Sequence, residues 1–449
     1  MPKISFYGGV GEIGGNKFLL EDDDTKVFLD FGKNFSREKR FFDEPYIQAR
    51  EERHLLEIGI LPRIDGLYKR DPAKFHLDGV IVTHPHADHY DAIRWMKDEY
   101  PIYCGATARD LLVARDLSGG SFGEYNIASL TKTWGEEILK KFITLPEGRS
   151  KNLSALNVEL CPVDHSVPGA AAYIIETSGG TLVYTGDFRM HGPRKEGTEK
   201  FLERAKASEP EILLIEGTHI SESKVETERE VGGKINRIVS STTKLVLVGI
   251  PIADMDRLST LHDVAEKCGR KLAIPMKQAF IADALRETGS VRFRLDDEGI
   301  LIFKKAKKTT YAWEETLETK YSNTVAAEDI NKIQEKAILI ATIYDMNEMA
   351  KVSPEPGSTY ILSSSEPFDE EMEIQYERLL NWLDYYGLPL YQVHASGHAT
   401  PHELKSAIEA ISPKTVVPIH TQRPELFKRF VEDLRVDVRI PSEKVPIDW

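Results

Sequence analysis

Three imidazoles and a carboxylate fall within six residues in Thr83-His84-Pro85-His86-Ala87-Asp88-His89, directly after the apolar run Gly79-Val80-Ile81-Val82. The apolar run reads as a buried strand over Gly79–Thr83. A cluster at its end can aim His84 and His86 at one cation, and Asp88 and His89 at a neighbouring one. Imidazole and carboxylate donors together suit zinc, with manganese or iron as alternatives. Four groups cannot complete two metal sites, so other strand ends must supply the remainder. His165 closes the strand NVELCPVDH and Asp187 closes TLVYTGD, each beside a glycine- or proline-containing turn that exposes the side chain. Taken singly, His165 reads as an edge histidine and Asp187 as a turn cap; beside the histidine-rich segment the ligand reading prevails. Asp187 can give one oxygen to each ion and is the bridging candidate. Asp30, ending KVFLD, suits an acceptor that orients a ligand imidazole.

The elements that must position these groups are strand-rich at first. Lys3–Tyr7, Lys17–Leu20 and Lys26–Asp30 read as a β-meander around the acidic turn at Glu21–Asp24. The segment Gly8–Gly15 has Gly-x-x-Gly spacings, but it leads into a strand and lacks the helix that a phosphate cradle needs. Residues 36–78 are charged and irregular, with one helical candidate near Tyr46–Ile58. Strand signals return at Asn157–Val163, Ala171–Thr177, Thr181–Thr185 and Glu211–Glu216. From Lys244 onward, short apolar strands alternate with helical stretches, which predicts a parallel α/β domain with its boundary near 217–243. A strand after Tyr391, a helix Thr400–Ile411 with Pro401 at its start, and a strand Thr415–Ile419 follow.

Composition limits the options. At 449 residues the chain allows two or three domains. A net charge of −14 argues against a protein that coats DNA, so any nucleic-acid contact must be local. Three cysteines without C-x-x-C spacing give neither a disulfide framework nor a thiolate zinc site, and imply a reducing compartment. With no leader-like start and no apolar run long enough for a membrane span, the expectation is a cytoplasmic enzyme that uses no membrane.

FLDFG, THPHADH, the DHS segment and YTGDF, in this order, resemble the metallo-β-lactamase superfamily. That resemblance implies an αββα sandwich with metals at one edge: His84, His86 and His165 on one ion, Asp88 and His89 on the other, Asp187 bridging. His394-Ala395-Ser396-Gly397-His398-Ala399, with His420 in PKTVVPIHT, is similar to the β-CASP nucleases, in which a parallel α/β domain is inserted before the lactamase fold is completed. The expected domains are residues 1–216 and 389–449 for the lactamase fold and 217–388 for the β-CASP insertion. Glu216, in LIEGTH, matches that branch's first motif, His398 the second and His420 the third. The glycine-rich opening, PGSTYILSSS and HASGHA are closest to the ribonuclease J group and its archaeal relatives.

The resemblance implies a nuclease holding two zinc ions, or manganese, and cleaving RNA by a metal-bridged hydroxide. His420 would be the last ligand of the second metal. His398, kept protonated by Glu216, would be the general acid, and Asp88 stands with them among the catalytic candidates; the bland alternative for His398 is a helix-cap histidine. By the same resemblance, histidine rather than valine at position 420 implies RNA rather than DNA, and the expected partner is single-stranded RNA. His394, Ser396 and Gly397 form a candidate phosphate nest that would select a 5′-monophosphate end for 5′-to-3′ exonuclease action, alongside endonuclease action. The competing readings are a hydrolase of a small phosphodiester or other non-nucleic substrate, and a catalytically silent RNA-binding scaffold. Departures from the group are the charged insertion Lys33–Phe75, a candidate lid or partner surface, the acidic segment Glu366–Glu371, and the TQRPE that follows His420. A homodimer is among the assemblies allowed. The basic run Phe303–Tyr311 reads as a solvated helix face, Cys161 as a packing residue, and His54, His76, His191, His219, His262 and His402 as histidines without partner spacing.

Overall fold

The computed structural model describes residues 1–43, 46–119, 142–221, 226–364 and 370–449, with the side chains of 370–372 excepted. Of the acidic segment Glu366–Glu371, only the backbone of 370–371, at the start of a helix, is described. The chain divides into two compact units. One comprises Met1–Met190, Arg194–Lys224 and Gly397–Trp449; the other comprises His191–Pro193 and Val225–Ser396.

The first unit has a metallo-β-lactamase fold built on two seven-stranded sheets. One runs in the order Ile447–Asp448, Lys3–Phe6, Lys17–Asp22, Thr25–Phe31, Gly79–Ile81, Ile102–Cys104 and Phe142–Thr144. The other runs Asp437–Val438, Thr415–Ile419, Ile212–Glu216, Gly180–Tyr184, Ala171–Thr177, Leu156–Pro162 and Ser150–Leu153. Both faces of the central strands are buried, so their sequences are apolar throughout rather than alternating. Val27, Leu29 and Ile81 pack with Val158, Tyr173, Leu182 and Leu214 in the layer between the sheets. Their neighbours Phe28, Phe31, Val80 and Val82 face outward into a second cluster with Leu55 and Leu112 of flanking helices. On the far side Ile174, Val183, Leu213 and Val416 meet Phe201, Leu404 and Phe427 from three helices. Helix, sheet, sheet and helix layers follow directly from this two-sided burial. The helices Ala106–Ser118 and Lys195–Ala207 complete the outer layers and carry no strong sequence signal.

The second unit carries a wholly parallel sheet in the order Thr324–Val325, Ile300–Phe303, Lys271–Pro275, Ala337–Ile340, Val246–Gly249, Thr359–Leu362 and Leu390–Gln392. This matches the expected alternation of strand and helix. Fully buried Arg257 binds Glu228 through two hydrogen bonds of 2.7 and 2.8 Å and also donates to the Ser363 carbonyl at 3.2 Å, joining two helix starts to a strand end.

Two local expectations fail. Only Glu52–Glu57 of the candidate Tyr46–Ile58 is helical, because Tyr46 and Ile47 donate backbone hydrogen bonds to the Asp43 carbonyl and close a turn instead. Residues 304–311, expected as a helix face, run without regular structure from the strand Ile300–Phe303 to the helix Ala312–Lys320. There Lys304, Lys305 and Lys307 pair with Glu318, Asp345 and Glu314. No described helix is long and apolar enough to cross a membrane.

Candidate metal centre

Strand ends of the first unit deliver every proposed ligand to one place. His84, His86 and His89 follow Gly79–Ile81; His165 follows Leu156–Pro162; Asp187 follows Gly180–Tyr184; Glu216 ends Ile212–Glu216; His420 follows Thr415–Ile419. Two of these strands finish in backbone shapes that side-chain-bearing residues seldom adopt. Asp30 has φ 57° and His420 φ 50°. Asp30 is skipped by the ladder, since Lys17 pairs with Phe31 and Phe18 with Leu29, and this bulge turns its carboxylate inward. Gly186 is held at φ 54°, and a Cβ there would lie 2.8 Å from that of Thr83, so the turn before Asp187 admits only glycine.

The donor atoms form overlapping groups. Around the first position, His86 Nδ1 lies 3.1 Å from both His84 Nε2 and His165 Nε2, and Asp187 Oδ2 lies 3.5 Å from His84 Nε2. Around the second, Asp88 Oδ2 is 3.1 Å from His420 Nε2 and 3.8 Å from His89 Nε2, which is itself 3.1 Å from Asp187 Oδ2. Asp187 thus faces both groups. Glu216, His398, His420 and Asp187 also lie close enough together to hold a cation.

Burial, joined by the neighbouring imidazoles, holds His84 and His165 well below the ordinary histidine range, and burial lowers His86 to about 4. Three neutral imidazoles turned toward one another are lone-pair donors awaiting a cation. Asp88 and Asp187 are held below the carboxylate range: burial opposes this, but His89 and His420 outweigh it. A donor set of nitrogen and carboxylate oxygen, deprotonated and converging, fits divalent metal ions.

The other faces of these side chains are anchored. His89 Nδ1 meets Asp30 Oδ2 at 2.6 Å, and Asp30 also accepts from Thr83 N and Oγ1 at 2.8 Å and from Tyr184 Oη at 2.5 Å. The Gly397 carbonyl takes His165 Nδ1, and Thr218 Oγ1 lies 2.8 Å from His420 Nδ1. His398 Nδ1 lies 3.0 Å from Glu216 Oε2 and 3.8 Å from Asp187 Oδ2. Burial works against a charge on His398, yet Glu216, then Asp187, raise it to about 9.

Several participants carry no sequence signal of their own. The glycine-rich opening lines the site with backbone: the Gly9 carbonyl accepts His420 N at 2.8 Å, Asn16 N donates to the Asp88 carbonyl at 3.1 Å, and Asn16 Nδ2 lies 3.0 Å from His89 Nε2. A buried pair, Arg189 Nε to Asp164 Oδ1 at 2.9 Å, ties the His165 turn to the Asp187 turn. The hint available was a run of polar residues, Asn16-Lys17, inside an otherwise apolar strand start. Of the nest candidates, the Gly397 carbonyl is committed to His165, and a Cβ on Gly397 would lie 2.6 Å from Ser166 Oγ. The Ser396 carbonyl lies 3.1 Å from His191 Nε2. The His219 ring meets that of His398 edge-on, with centroids 5.4 Å apart. His262 faces Phe293 and, with Asp263 and Glu266, forms a separate group in the second unit.

Comparison with known proteins agrees with this geometry. A family model described as a beta-lactamase superfamily domain matches residues 67–230, and one described as a Zn-dependent metallo-hydrolase RNA specificity domain matches residues 389–441. Ribonuclease J of Thermus thermophilus is 24% identical over 92% of this chain and 67% of its own length; that of Mycolicibacterium smegmatis is 25% identical over 93% and 68%. Ribonuclease J 1 of Streptococcus pyogenes is 24% identical over 98% and 71%. A crystal structure of a protein of unknown function from Enterococcus faecalis V583 superposes with a TM-score of 0.79 at 22% identity, covering 99% of each chain. Two family models bracket the sheet edge where the ligands meet, so the chain carries a region matching the beta-lactamase superfamily domain and, after it, one matching the RNA specificity domain of Zn-dependent metallo-hydrolases.

Proposed function

We propose that the protein is a metal-dependent ribonuclease that hydrolyses phosphodiester bonds of single-stranded RNA at this sheet edge, with zinc, or manganese, as the cofactor. His84, His86 and His165 would hold one ion, Asp88, His89 and His420 the other, and Asp187 both. When bound, such ions offset charge on phosphate oxygens and make a water acidic enough to attack at neutral pH. The chain's own contribution is positional and protonic. Asp30, fixed by Thr83 and Tyr184, holds the His89 ring so that Nε2 faces inward. Gly397 and Thr218 do the same for His165 and His420.

The observation that carries the reading is the buried Glu216 carboxylate 3.0 Å from His398, beside the ligand groups but with its second oxygen committed to Phe188 N at 3.0 Å. This pair keeps a proton on His398 at neutral pH, where it can pass to the leaving 3′ oxygen. The second unit is the proposed β-CASP domain, and the His394–Gly397 segment the proposed recognition point for a 5′-monophosphate end. The test is a time course on 5′-labelled single-stranded RNA with zinc or manganese, with chelated enzyme and Asp187→Ala as controls. Cleavage abolished in both controls supports the reading, and inert RNA with fully metallated enzyme overturns it. Mononucleotide release from the start distinguishes exonuclease from endonuclease action. Equal rates on 5′-monophosphate, triphosphate and hydroxyl ends would remove the end-recognition part.

A further inference from the structure

A buried asparagine must find partners for one carbonyl oxygen and for an amino group with two protons. Asn16, directly before the strand Lys17–Asp22, is fully buried and finds them only in part. Its main chain is pinned on both sides: Asn16 N donates to the Asp88 carbonyl at 3.1 Å, and its own carbonyl accepts from Gly32 N at 2.9 Å. The side-chain amino group faces His89 Nε2 at 3.0 Å and reaches the Asp88 carbonyl only at 3.5 Å. Among the described residues, Oδ1 has no hydrogen-bond partner. It lies against the backbone of Gly9, held at φ 70°, where an added Cβ would collide with it. Buried acceptors in this condition are rare, and they mark strain, a catalytic role or a place for water or an ion.

The amide head also sits at the spacing of a metal ligand. His89 Nδ1 is engaged by Asp30 at 2.6 Å, so Nε2 is the ring atom left for a cation, with Asp187 Oδ2 3.1 Å and Asp88 Oδ2 3.8 Å away. Donors bound to one ion at about 2.1 Å and at right angles stand about 3 Å apart, which is the separation of the Asn16 amide from His89 Nε2. An ion that takes the Nε2 lone pair deprives the Asn16 amino group of its acceptor and sets its protons against a positive charge. The two ends of a side-chain amide are alike in size, so half a turn about its last bond exchanges them without new space. That rotation brings the orphaned Oδ1 to the ion's side. Carbonyl oxygen is an accepted donor to divalent cations, and here it adds a ligand without adding charge beside Asp88 and Asp187.

We propose that Asn16 is a fifth donor of the second metal position, its carbonyl oxygen turned to the ion held by Asp88, His89, His420 and Asp187. The proposal rests on the metal-centre reading and adds one residue that the histidine and carboxylate motifs do not reveal. The test is zinc binding by the whole chain, without RNA, in competition with a chromophoric chelator that resolves the two affinities. Asn16→Ala keeps both main-chain bonds and should weaken one zinc by about tenfold or more while leaving the other unchanged. Asn16→Asp is the discriminating variant, because it keeps an oxygen at the same place and removes the amino group; it should hold that zinc at least as tightly as the parent. It decides the matter even if Asn16→Ala is too unstable to purify. Zinc loosened in Asn16→Asp would show that the amino group on His89 is what counts, making Asn16 a structural partner of the ring and refuting the proposal. Unchanged affinity in Asn16→Ala refutes it too and leaves the nuclease reading intact, whereas a parent that binds no zinc overturns the metal centre itself.

Discussion

Replacing Glu216 by glutamine tests the proton-holding pair while changing almost no volume. Glu216 is fully buried; one oxygen accepts from Phe188 N and the other faces His398 Nδ1 at 3.0 Å. Against the desolvation that burial imposes, Glu216 leads the interactions that raise His398 from 6.5 to about 9. That difference corresponds to about 3 kcal/mol of preference for the protonated ring. With the carboxylate gone, the ring loses the largest of these interactions and titrates lower, with Asp187 still raising it. At pH 8 a group titrating at about 9 is about 90% protonated and one at the ordinary 6.5 about 3%, so Glu216→Gln should slow hydrolysis by up to about 30-fold there and little near pH 5.5. The alkaline limb of the rate profile therefore moves to lower pH. The same pair stabilises the fold below about pH 6.5, a contribution lost as pH rises through about 9. The assay is initial rate on a fluorogenic RNA from pH 5 to 10, with metal content measured in parallel. A loss that is uniform with pH, or accompanied by loss of metal, would show Glu216 to be a ligand or a structural group and refute the argument.

Other outcomes follow from the same physics. Lys17 is buried beneath the glycine-rich opening, with Nζ 3.2 Å from the Gly15 carbonyl, and burial lowers it to about 8. Between about pH 8 and 10.5 the unfolded chain holds a proton that the native state has released, so this residue makes stability rise with pH, by about 3 kcal/mol over the window; urea melts of Lys17→Met should lose that rise. Gly32→Ala would place a Cβ 1.6 Å from the Asp88 carbonyl oxygen, so it should cost about 3 kcal/mol or more and reduce metal binding, read by thermal melts and metal analysis. In the second unit, Arg257→Met should cost about 3–5 kcal/mol by stranding the Glu228 charge, and Arg257→Met with Glu228→Met should recover most of it in the same denaturation assay.

Reading from sequence worked best where chemistry is local. His84 through His89 sit on one turn, and the apolar runs ending at His165 and Asp187 are unmistakable strands, so geometry followed once the sheets were built. Partners that act through main chain were invisible: the Gly9 and Gly397 carbonyls hold His420 and His165, and no residue type advertises a carbonyl. The glycine run looked like an incomplete phosphate loop, whereas its small size is what lets backbone lie against Asp88 and Asn16. Tyr184 reads as a core aromatic, yet its hydroxyl reaches Asp30 across the sheet interface. The basic run at 304–311 misled because spacing alone cannot separate a helix face from a loop in which Lys304, Lys305 and Lys307 are answered by acids elsewhere in the fold.

The most direct test is anomalous diffraction from crystals of the zinc-loaded protein. Two peaks roughly 3.5–4 Å apart, one among His84, His86 and His165, one among Asp88, His89 and His420, with Asp187 reaching both, are the predicted result. A single peak, or zinc bound away from Asp187, would contradict the two-metal account.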